Sequence, residues 1–180
     1  MYKILFAAAL FLSCNQAEYK NPHIVIHTQL GDIEVELFPG QAPKTTAAFL
    51  SYIDSGFYTK TSFYRVLKTD EFPNPNNTGI IQGGMWQTNP EKKMTLAGIE
   101  HETTKQSGLT HQSGTISLAR TTPGSANTGF FICIGDQSTL DFGRRGTEDG
   151  QGFSAFGTVF KGMDIVRKIQ AKNSHGDRFD

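Results

Sequence analysis

Few residues in this chain combine a chemistry-bearing type with a telling position. Arg65 stands in SFYRV (Ser62 to Val66), a run that otherwise reads as a half-buried strand, and Gln82 follows in GIIQGG (Gly79 to Gly84). Alternation predicts Phe63, Arg65 and Leu67 on one face and Tyr64 and Val66 on the other. A guanidinium keeps its charge and is costly to desolvate alone, so Arg65 is either salt-bridged at a rim or placed there for use. The usual catalytic constellations are thin. There is no GK[ST] phosphate loop, no HExxH and no CxxC, and the glycine-rich GRRGTEDGQG lacks the strand-and-helix setting of a nucleotide site. His23, His27, His101, His111 and His175 are not at metal spacing and read as solvated or hydrogen-bonding side chains. Cys133, inside the apolar FFICIG, reads as an inert packed thiol, and no nucleophile has an evident base.

A site of one arginine, one glutamine and several aromatics, with no cofactor and no metal, suits one reaction: rotation about an X-Pro bond. Its barrier is about 18–20 kcal/mol because amide resonance is broken, and uncatalysed exchange takes on the order of tens to hundreds of seconds. An apolar pocket holds the proline ring while a fixed cationic donor faces the imide nitrogen, whose lone pair becomes available only as the bond twists. That donor binds the transition state better than either planar isomer.

The elements that must hold such a site are readable from pattern. At 180 residues, with a leader to subtract, the chain suits one domain. Lys plus Arg and Asp plus Glu are 17 each, so the net charge is zero and the electrostatic case for nucleic acid disappears. Lys3, the apolar stretch Ile4 to Leu12 and then Ser13-Cys14 form a leader too short to span a bilayer as an ordinary helix. A small residue before cysteine there resembles the lipobox of bacterial lipoproteins, and predicts acylation at Cys14 and attachment to a membrane. HIVIH, the turn Leu30-Gly31-Asp32 and IEVELF predict a hairpin, with Ile33, Val35 and Leu37 facing inward. Pro43 to Gly56 changes period and predicts a helix presenting Phe49, Leu50 and Ile53. KTDEFPNPNNTG is a polar surface loop. Further strands are expected at Ile80 to Gln82, Met94 to Leu96, Thr115 to Ala119, Phe130 to Ile134 and Ala155 to Phe160, and a second helix at GMDIVRKIQ. Many short strands with just two helices predict a mainly β, closed or nearly closed barrel with helical caps.

FYRV, IIQGG, GTISLAR, SANTGFFICIG with Leu140-Asp141, and FSAFGTVFKGMDIV occur in the order and rough spacing of cyclophilin-type peptidyl-prolyl isomerases. With the IEVELFPGQAPKTTAAF opening, the resemblance covers about Ile24 to Gln170. It implies an eight-stranded antiparallel β-barrel capped by two helices, with the peptide groove on the outer surface. The resulting division is 1–13 signal peptide, 14–22 tether and 23–180 cyclophilin-like domain. By position, Arg65 matches the family's catalytic arginine and Gln82 the glutamine that orients it. Phe131 and Leu140 match walls of the proline pocket, Ile80 takes the place of a pocket methionine, and Ala119 and Arg120 present backbone groups to the peptide. Four positions depart from the pattern: Gly79 replaces a pocket phenylalanine, Gly129 a glutamine, Thr139 a tryptophan and Phe153 a histidine, with Phe153 expected to refill part of the pocket. No final apolar strand follows the last helix, which implies either an unpaired edge along Ile24 to Ile26 or a chain cut short.

The expected function is an isomerase acting on proline-containing polypeptides that fold outside the inner membrane, as a lipid-anchored monomer of the cell envelope. The alternative on the same barrel is a catalytically weak module that grips proline-containing segments. A carbohydrate-binding β-sandwich would leave Arg65 and Gln82 without purpose.

Overall fold

The computed structural model describes residues 20–69 and 77–179. The leader, Cys14 and most of the tether lie outside the described residues. Strands β1 (His23–Thr28) and β2 (Gly31–Leu37) form the expected hairpin, and Ile33, Val35 and Leu37 are fully buried. Helix α1 (Pro43–Asp54) begins on its proline, and the Glu102 carboxylate accepts from the free amides of Lys44 (3.1 Å) and Thr45 (2.8 Å). Next come β3 (Ser62–Lys68), β4 (Gly79–Gly84), α2 (Pro90–Thr95), α3 (Thr104–Ser107), β5 (Thr115–Leu118), β6 (Phe130–Ile134), a 3-10 turn (Ser138–Leu140), β7 (Ser154–Lys161) and α4 (Met163–Gln170). Two short strands, β8 (Ser174–His175) and β9 (Arg178–Phe179), complete the described chain.

The strands make one antiparallel sheet in the order β1-β2-β7-β5-β6-β4-β3-β9-β8, curled in a barrel-like way around an apolar core. Inside lie Val66, Ile81, Ile116, Phe130, Ile132, Ile134 and Phe156; Phe49 and Ile53 of α1 and Val166 and Ile169 of α4 pack onto them.

Four expectations change. The sheet has nine strands, and its hydrogen bonding does not close the barrel. Met94 to Leu96 is not a strand: Asn89 accepts from the Lys92 amide (3.0 Å), Pro90 starts the turn and Glu91 sits at its positive end, so the segment is helical. Among the described residues there are four α-helices rather than two, and four-residue α3 is secured by a reciprocal Thr103–Gln106 cap. The chain after α4 forms a hairpin beside β3, where Arg65 pairs with Arg178, while β1 pairs only with β2 among the described residues.

Candidate active site

The site lies on the outer face of β3, β4 and β6, which are hydrogen-bonded neighbours. Along β6, Phe130, Ile132 and Ile134 enter the core, whereas Phe131 and Cys133 point outward and join Ile80 in a second apolar cluster. Ala119, Leu140 and Phe153 cover that cluster. Phe153 meets Phe131 edge-on, with centroids 5.3 Å apart, and so walls the slot as expected. Cys133 is buried beneath, and desolvation pushes its thiol well above the usual range, which removes it as a nucleophile.

Strict alternation fails on β3. Phe63 pairs with Gly83 and Arg65 with Gln82, so Tyr64 is the extra residue of a β-bulge. The bulge leaves Phe63 packed against the core and turns Tyr64 to the same side as Arg65. Both line the outer groove. Phe63 and Tyr64 therefore both lie on the face opposite to the one that alternation alone predicts.

Gln82 links the two side chains. Its carbonyl oxygen accepts from Arg65 Nη1 (3.2 Å), and its amide donates to the Tyr64 hydroxyl oxygen (2.9 Å). Because a guanidinium only donates, this arrangement fixes which end of the amide faces which neighbour. Arg65 Nε donates to Asp177 Oδ2 at 2.5 Å, and this partner holds the Asp177 carboxyl below its ordinary range. The pair is not a buried structural lock: the two side chains are 34% and 40% exposed. The Nη2 hydrogens of Arg65 have no partner among the described residues and remain available at the groove.

Arg120 has a different part. Its side chain is 2% exposed and forms a bidentate pair with Asp149 (2.7 and 2.8 Å) while Nε donates to the Gly152 carbonyl (2.8 Å). The guanidinium also lies 5.3 Å over the Phe153 ring. Thus its side chain fastens the 143–152 loop, and Asp149 is held well below the usual carboxylate range, chiefly by its hydrogen bonds from Arg120. Ala119 lies at the end of β5, where its amide donates to the Gly129 carbonyl (2.8 Å).

The groove encloses about 560 Å³, a volume suited to a short peptide segment or small ligand. It brings together all eight expected residues: Arg65, Gln82, Ile80, Phe131, Leu140, Phe153, Ala119 and Arg120. Gly79 and Thr139 are not among its lining residues. Gly79 has φ +137°, and a side chain there would collide with the Leu67 carbonyl, so this backbone position supplies no wall to the groove. Tyr64, Trp86, Asp177 and Arg178 also line the groove. The bulge and the β8–β9 hairpin bring Tyr64, Asp177 and Arg178 there, and neither carries a period-2 signal. His111 is completely buried behind Phe131, with ring centroids 5.9 Å apart. Its Nδ1 lies 2.7 Å from Asp141 and its Nε2 3.1 Å from Ser117 Oγ, and burial pushes its pKa down.

Residues 23–179 match the family model described as cyclophilin type peptidyl-prolyl cis-trans isomerase. A peptidyl-prolyl cis-trans isomerase of Acinetobacter baylyi is 39% identical over 83% of this chain and 72% of its own length. Peptidyl-prolyl cis-trans isomerase B of Escherichia coli is 36% identical, with 82% and 83% covered. Among solved structures, a Cryptosporidium parvum cyclophilin type peptidyl-prolyl cis-trans isomerase, crystallised in the presence of the dipeptide Ala-Pro, superposes with a TM-score of 0.65 at 22% identity. That match covers 88% of this chain and 92% of the other.

Proposed function

This chain belongs to the cyclophilin-type peptidyl-prolyl cis-trans isomerases, and from that membership we propose that Arg65 is the catalytic donor for X-Pro rotation in polypeptides folding outside the inner membrane. The observation that carries the assignment is a guanidinium held by Gln82 at the rim of an apolar slot, with its Nη2 hydrogens unbonded among the described residues. The slot of Ile80, Phe131, Leu140 and Phe153 takes the proline ring. As the imide twists, its nitrogen regains a lone pair and becomes a hydrogen-bond acceptor for Arg65. A donor whose bond strengthens only in the twisted state lowers the barrier instead of merely tightening binding. Gln82 keeps the guanidinium in place, and Ala119 and Arg120 offer main-chain groups to the extended peptide.

The same reading puts the domain on a membrane through acyl chains at Cys14, as a monomer. Its support is the order Lys3, apolar run, Ser13, Cys14 in the sequence. Each buried methylene of an acyl chain would contribute about 0.8 kcal/mol to anchoring. An intact mass lacking the added acyl groups would remove that part.

The test of catalysis is prolyl exchange in a short peptide, followed with and without the soluble domain and with Arg65→Ala. Acceleration that disappears in the variant supports the assignment. Equal rates with and without wild-type protein would leave a binding module.

A further inference from the structure

The polar chain on the groove floor ends in an unused donor. Arg65 donates to Gln82, Gln82 donates to the Tyr64 oxygen, and the phenolic proton itself has no acceptor among the described residues. Three features hold it ready. The bulge aims Tyr64 outward, Arg178 lies 5.8 Å over its ring, and burial raises its pKa so that the proton stays on at neutral pH. Opposite it, Gly129 adds no side chain to the groove lining, while Tyr64 as a whole is 5% exposed and reaches the groove at its edge. A Cβ at that position would stand 3.8 Å from the Tyr64 oxygen and 3.5 Å from the Ala119 Cβ, ordinary contact distances. Nothing steric requires glycine there; its effect is to add no side chain over the phenol.

Gly129 immediately precedes β6, two residues before Phe131, and both line the groove, a separation of about 7 Å in extended chain. A peptide with its proline ring against Phe131 therefore lays a neighbouring residue across Gly129. Extended main chain brings carbonyl acceptors at that spacing. We propose that Tyr64 is a substrate-binding residue whose hydroxyl donates to a main-chain carbonyl flanking the X-Pro bond, beside Gly129. The proposal rests on the isomerase reading. The contact makes recognition depend on the peptide backbone beside proline, so one groove accepts many flanking side chains.

The test uses Ala-Ala-Pro-Ala and a set of analogues in which each flanking amide in turn is a thioamide, a weaker acceptor. Affinity for wild type and Tyr64→Phe is measured by NMR titration, and exchange rates are taken in parallel. Loss of one hydrogen bond predicts a Kd about five-fold higher for the variant. At one flanking position the thioamide should weaken wild-type binding by about the same factor and leave Tyr64→Phe unaffected. Equal Kd values for the two proteins, or a loss confined to kcat, overturn the contact. If wild type binds the peptide without accelerating exchange, the isomerase reading fails while the Kd comparison still decides Tyr64. If Tyr64→Phe does not fold, the thioamide series on wild type decides it: no position with weakened binding overturns the proposal.

Discussion

The inner and outer faces of β3, β4 and β6 are made by the same strands and do opposite work. Inward, Val66, Ile81, Phe130, Ile132 and Ile134 form an unbroken apolar packing. Outward, Ile80, Phe131 and Cys133 make a smaller patch, bordered by Arg65, Gln82 and Tyr64 in a hydrogen-bonded row. Adjacent residues such as Phe131 and Ile132 thus line the groove and the core separately. Period 2 lets one strand carry both without compromise.

That division has consequences for each face. The largest expected effect is on the outside: Arg65→Ala should lower kcat/KM for prolyl exchange by about 100-fold or more, the size found when one preorganised transition-state donor is lost. Its thermal midpoint should hardly move, because the side chain is partly exposed. A large drop in stability with unchanged kcat/KM would erase the distinction. On the inside, Ile132→Ala should cost about 2–5 kcal/mol in a urea melt, with normal kcat/KM per folded molecule. Asp177→Asn keeps the shape of the hairpin and removes the charge beside Arg65. A half-exposed pair contributes on the order of 0.2–1 kcal/mol, so kcat/KM should fall no more than about five-fold. A larger loss would mean that the hairpin positions the guanidinium more tightly than its exposure implies.

The smallest effect concerns the boundary between the faces. His111 has its folded pKa lowered, first by burial, with Asp141 opposing the shift. The unfolded chain therefore binds a proton more readily, and stability rises with pH through this window. Denaturant melts should show full stability above an unfolded pKa of about 6.5 and progressive loss as pH falls toward the lower folded value. His111→Gln should flatten that slope. An unchanged slope would assign it to other groups.

The hairpin β1–β2 and helices α1 and α4 are readable because their apolar periods are long and regular, whereas Arg65, Gln82 and Phe131 are placed by the order and spacing of the motifs around them. Tyr64 was misplaced because a bulge adds one residue and resets the alternation, an event with no signature in side-chain type. Met94 to Leu96 misled because two apolar residues around a threonine resemble a strand, whereas Asn89-Pro90-Glu91 upstream carried the helix start. Asp177 and Arg178 reach the groove only through a hairpin whose strands are too short to show a pattern. The left-handed backbone of Gly79, packed against the Leu67 carbonyl, is a conformational feature that side-chain pattern does not record.

Arg120 also changes how GRRGTEDGQG behaves. Composition marks it as a flexible connector, yet one buried guanidinium gathers Asp149 and the Gly152 carbonyl, and the Gly143 amide donates to the Gly150 carbonyl at 2.7 Å. A protease that cuts after basic residues finds Arg144 and Arg145 on the surface but in a closed loop that does not fit an extended cleft. Resistance to nicking there thus becomes a simple gauge of whether the clasp is shut.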